Sequence, residues 1–403
     1  MTAPAPGPRL VFFTGGTALR DLSRQLAAFT RNSVHLVTPF DSGGSSAALR
    51  RAFAMPAVGD MRNRLLALAD CELVPSSVLD FCASRLPDRE KAPNGADGAG
   101  QENMRRKLRQ ELESMGKKNH AVWADMPPDF AGPLRLHLNF FLQRMPPDFD
   151  PFRACLGNLV LAGGYLHHKR DFSPVTAFFS RLLHTRGVVL PIVGESLHLA
   201  ARLADGSTVV GQHHFRHLAQ PVRQLFLTVH EPDREGERPL EQTACRPPLA
   251  PICSVYLRSA AAICYPMGSF YTSVLANLLP QGVGRAVAQT PCPKIFIPNS
   301  GRDVELQGLT VSRQVEMLLR HLREDAPDAP TDSLLHHVLA DSRNGCYEGG
   351  LDAAERQALE RMGVRLTERD MVCGNDPQRH DPLLTARALM ELVPGSAGEV
   401  FLT

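Results

Sequence analysis

Two short apolar runs near the start of the chain each end in a glycine turn, and each turn leads into a helical pattern. Leu10-Val11-Phe12-Phe13 runs into Thr14-Gly15-Gly16-Thr17, after which Leu19, Leu22, Leu26 and Phe29 fall at helical spacing. Val34 to Thr38 is followed by Asp41-Ser42-Gly43-Gly44-Ser45-Ser46, and Ala47 to Phe53 opens the next helix. Strand, glycine turn, helix, repeated, is the opening of a nucleotide-binding α/β unit. It predicts a parallel sheet with ligand at the C-terminal ends of the strands. A second polar knot, Gly59-Asp60-Met61-Arg62-Asn63, precedes an apolar helical run through Leu65, Leu66 and Leu68.

The rest of the chain offers further strands at Gly187–Pro191, Val222–Val229, Ala260–Tyr265 and Lys294–Pro298. A hairpin is expected around Asp205-Gly206, and helices at Leu134–Leu142, Leu156–Leu166, Thr310–Leu322 and Leu383–Val393, with another from Val274. Met1 to Arg9 is Pro-rich and reads as a disordered tail. Residues 10–403 read as a single domain, interrupted by a charged, flexible insertion at about 87–120 that contains a solvated helix from Glu102 to Met115. Pro232–Pro251 reads as a surface loop.

Bulk properties exclude several classes. A formal net charge of +2 gives no global electrostatic case for nucleic acid or an anionic membrane. No apolar run approaches the roughly 20 residues of a membrane span, and the N-terminus lacks the basic and apolar regions of a signal peptide, so a cytoplasmic location is expected. The nine cysteines include no CxxC pair, which argues against a zinc ribbon or a disulfide framework. Neither GxGxxG nor GxxxxGK[ST] occurs, which argues against standard dinucleotide and P-loop sites, and against bound NAD or flavin.

Three strand-to-helix junctions are unusually polar: Gly15-Gly16-Thr17, Asp41 to Ser46, and Gly268 to Ser273. In a parallel sheet such junctions share one edge, so they are expected to converge on a diphosphate. Backbone amides and the hydroxyls of Thr17, Ser45, Ser46, Ser269 and Thr272 would hold phosphate. Asp41 and Asp60 would bind Mg²⁺ or orient a hydroxyl, and Arg62 would grip a phosphate with its fork. Each piece has a plainer reading: a tight turn for Gly-Gly-Thr, helix caps for Ser45-Ser46, Asp60 and Asn63. His380-Asp381 reads as a solvated helix cap or, alternatively, as a late polar contribution to the site.

With these residues in view, the chain resembles the 2-phospho-L-lactate transferase (CofD) superfamily, and within it the YvcK-like branch of gluconeogenesis factors. The matching segments are FTGGTALRDL from Phe13, VTPFDSGGSSAALR from Val37, VGDMRNRLLALAD from Val58, LGNLVLAGGYL from Leu156, GVVLP from Gly187, MGSFYTSVLANLLPQGV from Met267, IFIPNS from Ile295 and RHDP from Arg379. The chain is also similar to CofD-like proteins of a bacterial gene cluster called the GAK system. The resemblance implies a Rossmann-like α/β fold: a mostly parallel sheet flanked by helices, with a polar insertion and a smaller C-terminal region. It also implies a ligand that is a nucleoside-diphosphate-linked small molecule.

The transferases move a phospholactyl-type group from a guanosine diphosphate-activated donor to a hydroxyl, with Mg²⁺. The YvcK-like branch is instead associated with binding UDP-sugars and with carbon use and cell-wall shape. The expected function is the Mg²⁺-assisted transferase, with a non-catalytic nucleotide-sugar-binding regulator as the alternative. Catalytic positions would be Asp41, Asp60 and Arg62, with Asp41 and Asp60 on the metal. Ligand-binding positions would be Gly15, Gly16, Thr17, Ser42, Gly43, Gly44, Ser45, Ser46, Asn63, Gly157, Asn158, Gly268, Ser269, Tyr271, Thr272, Ser273 and Asn299. A homo-oligomer is a further expectation of the resemblance. Three departures stand out. The family often carries two adjacent acids where this chain has Asp41-Ser42, a Gly-Pro-Gly-Ser turn where it has Pro266-Met267-Gly268-Ser269, and a glycine where it has Ala47.

Overall fold

The computed structural model describes residues 7–89, 98–229, 243–301, 303–306, 308–374 and 376–395, the side chains of 98 and 99 excepted. In chain order, β1 (Leu10–Thr14), α1 (Arg20–Leu26) and β2 (Ser33–Val37) are followed by a run of helices. These are α2 (Gly44–Phe53), α3 (Gly59–Leu68), α4 (Ser76–Ala83), α5 (Gly98–Met115), α6 (Pro128–Leu142), α7 (Leu156–His167) and α8 (Phe172–Leu182). Strands β3 (Val188–Pro191), β4 (His198–Leu203), β5 (Thr208–Val210), β6 (Val222–Thr228) and β7 (Ala244–Cys245) come next. After α9 (Pro251–Arg258) come β8 (Ala262–Tyr265), α10 (Val283–Ala288), β9 (Lys294–Phe296), α11 (Val311–Arg323), α12 (Thr331–Leu334) and β10 (His337–Ala340). The chain closes with α13 (Ala353–Arg361), β11 (Arg365–Glu368), β12 (Val372–Cys373), β13 (Asp376–His380) and α14 (Pro382–Glu391).

The chain falls into two compact units. The first is the chain up to Thr38, Arg186–Val193 and the chain from Leu197 on; the second is Pro39–Thr185 with Gly194–Ser196.

In the first unit, seven strands among the described residues form one sheet in the order β11-β10-β9-β8-β1-β2-β3. Every pairing is parallel. Counted from β3 inward, the sheet strands run third, second, first, then fourth onward, so chain order reverses between β1 and β8. That is the doubly wound topology of the Rossmann class.

Its inner strands are buried and largely apolar because both faces are covered, whereas β11 at one edge is largely exposed. On one face Leu10, Phe12, Ala262, Cys264, Ile295 and Leu339 pack with Leu19, Leu22 and Leu26 from α1 and its approach, and with Ala386, Leu389 and Met390 of α14. On the other face Phe13 stacks on Tyr265 at 5.5 Å. Each fully buried leucine or phenylalanine contributes roughly 1.5–3 kcal/mol. A second, antiparallel sheet in this unit runs β5-β4-β6-β7, with the expected hairpin turn at Asp205-Gly206, where Gly206 sits at φ +86°.

The second unit is helical, α2 to α8. The charged stretch 87–120 lies in it; residues 90–97 fall outside the described set, while α5 buries Leu108, Leu112 and Met115 along one face. Residues 1–6 of the expected tail are likewise not described, and Arg9 is anchored through Nε to Asn32 Oδ1 at 3.2 Å.

Three local expectations change. The polar knot Gly59–Asn63 is not a loop ahead of a helix but the first turn of α3. Pro251, expected to end a loop, opens α9, where a proline without an N–H costs nothing. In place of a regular helix from Val274, Phe270–Val274 is a wide turn in which Ser273 N and Val274 N both donate to Ser269 O (2.9 and 3.2 Å).

Candidate functional site

The reversal of strand order between β1 and β8 leaves the loops after those strands side by side, the position at which open α/β sheets bind ligands. After β1 come Gly15 and Gly16, both buried, and then Thr17, whose side chain is exposed. After β8 come Met267, Gly268 and Ser269. Met267 packs against the sheet core, which gives a physical reason for methionine in this turn. Gly268 sits at φ +150°, where side chains are strained. Buried Asn277 ties the two loops together, donating through Nδ2 to Thr14 O (3.1 Å) and Ser273 O (2.7 Å).

Asn299, at the end of the β9 segment, clamps the same turn: Gly268 N donates to its Oδ1 and its Nδ2 donates to Gly268 O, both at 2.8 Å. Of the expected residues, Gly15, Gly16, Thr17, Gly268, Ser269 and Asn299 are therefore assembled around one switch point.

Tyr271 and Thr272 are different. Their backbone amides both donate to Glu305 Oε2 (2.9 and 3.0 Å), and the Thr272 hydroxyl, expected to hold phosphate, donates to Glu305 Oε1 at 2.6 Å. Phe270 N donates to Asp303 Oδ2 at 3.3 Å. A phosphate cannot use donors that a carboxylate of the same chain already holds. Glu305 is 4% exposed, and burial pushes its carboxyl up to about 7, against the opposing pull of the Thr272 and Tyr271 donors. Burial also raises the Asp303 carboxyl. Sequence inspection missed both acids, since nothing local to them points to a turn some thirty residues earlier. Ser273 contributes its carbonyl to the Asn277 tie.

In the second unit, Asp41 Oδ1 accepts from Gly43 N at 3.0 Å, an Asx turn that starts α2. Gly44, the first residue of α2, is exposed at φ +48° with open space where a side chain would point. The N-cap residue, Gly43, has no side chain with which to cap the helix. Buried Arg50, two turns on, donates to Phe40 O (3.1 Å) and Asp41 O (3.3 Å) and so stiffens the loop from below.

Gly59 lies against this loop. A Cβ there would sit 2.7 Å from Ser46 Oγ, 3.0 Å from Asp41 Oδ2 and 4.0 Å from Asn158 Nδ2. The fold thus gathers Asp41, Ser46, Gly59 and Asn158. Asn158 is 1% exposed at the start of α7, and its Oδ1 has no hydrogen-bond partner among the described residues. Ser45 has a structural task, accepting from Cys155 N at 3.0 Å. Ser42 is buried beside it in the loop.

Four expected residues of the second unit have other surroundings. Arg62 is 6% exposed. Its Nη1 donates to Cys82 O (3.5 Å) and Cys155 Sγ, and its Nη2 to Asn63 Oδ1 (2.6 Å), so both ends of its fork, and Asn63 with it, are engaged inside the protein. Burial lowers its pKa. Asp60 acts on Arg64, the next turn of α3: burial pushes the Arg64 guanidinium down to about 10 and the Asp60 charge pulls it back up. Gly157 is where helices meet closely; a Cβ would lie 2.3 Å from Cys82 O and 2.9 Å from Arg62 Cδ. Asp381 caps α14, accepting from Leu383 N and Leu384 N at 2.9 and 2.8 Å.

For a divalent cation, Asp41 fits. Its Oδ2 faces the Ser46–Gly59 side, and Mg²⁺ commonly takes one or two carboxylates with the remaining ligands from water and phosphate. The Asp60 charge acts on the buried Arg64 guanidinium one turn on. No group of three or more His, Cys, Asp or Glu side chains gathers as a metal site among the described residues, and no disulfide forms among the described cysteines. No helix among the described residues is long and apolar enough to cross a membrane.

Comparison with known proteins agrees with this architecture. The sequence profile of the family described as 2-phospho-L-lactate transferase CofD matches residues 10–372. The chain is 26% identical over 399 residues to the gluconeogenesis factor of Halalkalibacterium halodurans, covering 97% of this chain and 98% of that one. It is 25% identical over 396 residues to the gluconeogenesis factor of Bacillus subtilis, covering 96% and 98%. A crystal structure of a UPF0052 family member from Bacillus halodurans matches with a TM-score of 0.66 at 22% identity, over 96% of this chain and 99% of that one, which shows a shared fold. With its doubly wound sheet and a profile match that spans most of its length, the chain belongs to the CofD family.

Proposed function

We propose that this protein binds a nucleoside-diphosphate-linked small molecule at the β1/β8 switch point and acts as a regulator of the gluconeogenesis-factor kind. The observation that carries the reading is the pairing of the Gly15-Gly16 and Gly268-Ser269 loops at the reversal of strand order, with the Thr17 hydroxyl exposed at its rim. The names of the full-length relatives support the regulatory part. Cytoplasmic residence accords with a soluble metabolite as ligand.

The residues expected to do chemistry point the same way. Arg62 is engaged inside the second unit, and the Tyr271 and Thr272 amides hold Glu305.

One observation favours a second reading, phospholactyl-type transfer. Asp41, Ser46 and Asn158 remain gathered about Gly59 beside the start of α2, where Gly43 is the N-cap. There Asp41 would hold Mg²⁺, which would neutralise charge on a transferring phosphate, while the open Gly44 turn admits the phosphate oxygens to backbone amides.

Thermal-shift and calorimetric titration with GDP, UDP and UDP-sugars, with and without Mg²⁺, tests binding. No response to any of them removes the proposal. Supplying a GDP-linked donor, a hydroxyl acceptor and Mg²⁺ separates the two readings: GMP release establishes the transferase, binding without release the regulator.

A further inference from the structure

Apart from the switch point, the first unit holds a cavity of about 390 Å³ whose walls come from three elements far apart in the chain. Strand β4 supplies Arg202, strand β6 supplies Arg223 and Gln224, and α11 with its C-terminal end supplies Arg320, His321 and Glu324. Arg223 and Arg320 bring two guanidinium groups to it, and neither makes a hydrogen bond or an ion pair within 4 Å among the described residues. The carboxylate in the wall, Glu324, pairs with Arg246 at 3.7 Å and also feels the Arg320 charge.

The positive field reaches the cavity floor. His321 is 3% exposed, and its ring is held down to about 4, first by burial and then by the charges of Arg320 and Arg246, against the hydrogen bond it makes to Met317 O at 2.7 Å. The imidazole therefore stays neutral and offers the arginines no added repulsion. Bringing like charges together costs free energy unless a counter-ion sits among them. Arginine forks match the planar oxygen pairs of phosphate and carboxylate groups, and the volume falls in the range of small-metabolite sites.

We infer that this cavity is a binding site for a small, multiply charged anion, gripped by Arg223 and Arg320 and distinct from the switch point. Glu324 sets a lower limit on the ligand's charge, since a monoanion would gain little against the carboxylate already in the wall. Gln224 can donate to a ligand oxygen or accept from a ligand hydroxyl. The site is independent of the nucleotide reading: its residues lie on β4, β6 and α11, and none belongs to the β1 or β8 loops.

The test is titration of the full chain with inorganic pyrophosphate and, separately, with citrate, at constant ionic strength set by chloride. We expect saturable binding of at least one of them. It should weaken ~10-fold or more in Arg223→Ala/Arg320→Ala, both positions being exposed and so safe for folding. Which anion binds tells whether phosphate or carboxylate is preferred. The Arg223→Lys/Arg320→Lys variant keeps the charge but loses the fork, and should recover only part of the affinity. Absence of binding by both anions, alanine variants that bind as well as the parent, or lysine variants that bind fully, as a diffuse field would predict, each overturn the proposal. GDP titrated into the same proteins reports separately on the switch point, so failure of one reading is distinguishable from failure of the other.

Discussion

Two turns of this protein look alike in sequence and are finished differently. Gly43-Gly44-Ser45-Ser46 begins α2 with a glycine at the N-cap and with open space beside Gly44. Gly268-Ser269-Phe270-Tyr271-Thr272 follows β8, and its amides are held by Asp303 and Glu305. A glycine-serine turn presents a ring of N–H groups that favours an anion. In the second case the protein supplies that anion itself, and the turn becomes a rigid wall of the switch point. In the first, Asp41 Oδ1 takes the Gly43 amide, while open space at the exposed Gly44 leaves the rest of the turn facing outward. The same composition therefore marks a ligand-accessible turn in one place and a structural one in another, and the difference lies in a carboxylate that a reader of the turn alone never sees.

The largest effect that can break this comparison is loss of that carboxylate. Glu305→Ala leaves two amides and a hydroxyl buried without their acceptor and is expected to cost about 2–4 kcal/mol, read as a shift in the urea midpoint. A change below ~0.5 kcal/mol would show that the turn does not need its internal anion.

The ionisation of Glu305 gives the next effect. Its folded-state pKa, about 7, lies above the ordinary glutamate value of 4.5. The folded protein thus holds the proton more tightly, and this group's contribution favours folding at low pH and is lost as pH rises from about 4.5 through 7. Between pH 5 and pH 8 the parent should lose ~2–3 kcal/mol that Glu305→Gln does not lose. Parallel pH profiles for the two proteins would refute the raised pKa.

On the α2 side, Gly59→Ala pushes a methyl to within 3.0 Å of Asp41 Oδ2 and closer to Ser46 Oγ. We expect ~1–2 kcal/mol of destabilisation and a clear loss of any Mg²⁺ dependence of nucleotide binding; unchanged Mg²⁺ dependence would remove Asp41 from the cation's ligands. The smallest effect is that of Ser45→Ala. It removes only the acceptor of Cys155 N, about 1 kcal/mol, and should leave nucleotide affinity within twofold. A larger affinity loss would make Ser45 a ligand residue after all.

Much of the fold was legible. Leu10–Thr14, Ser33–Val37, Ala262–Tyr265 and Lys294–Phe296 are short apolar runs flanked by turn residues, and a strand covered on both faces has no other way to look. The switch-point loops were legible for the same reason, since glycines mark where a buried strand must stop. Side-chain direction was not. Arg62 reads as a phosphate ligand by type, yet α3 turns it toward Cys82 and Cys155. Gly157 reads as a ligand-binding glycine, yet it marks the approach of Cys82 O. Asp60 and Arg64 are four apart on a helix face, a spacing that carries no signal where Gly59–Asn63 reads as a polar knot ahead of the helix. The strand β11 and the helix α13 were not foreseen; they are short and largely exposed, so their periodicity is weak.

The placement of the second unit within the chain has a kinetic consequence. Pro39–Thr185 is inserted between β2 and β3, two strands that pair in parallel in the first unit. That pairing closes a loop of about 150 residues, whereas β1 and β2 meet across one short helix. The strand at the β3 edge should therefore join the sheet late, and until it does the flank of β2 is an unpaired template for other chains. During synthesis, the first half of the sheet must wait for an entire helical body to emerge before its outermost strand exists.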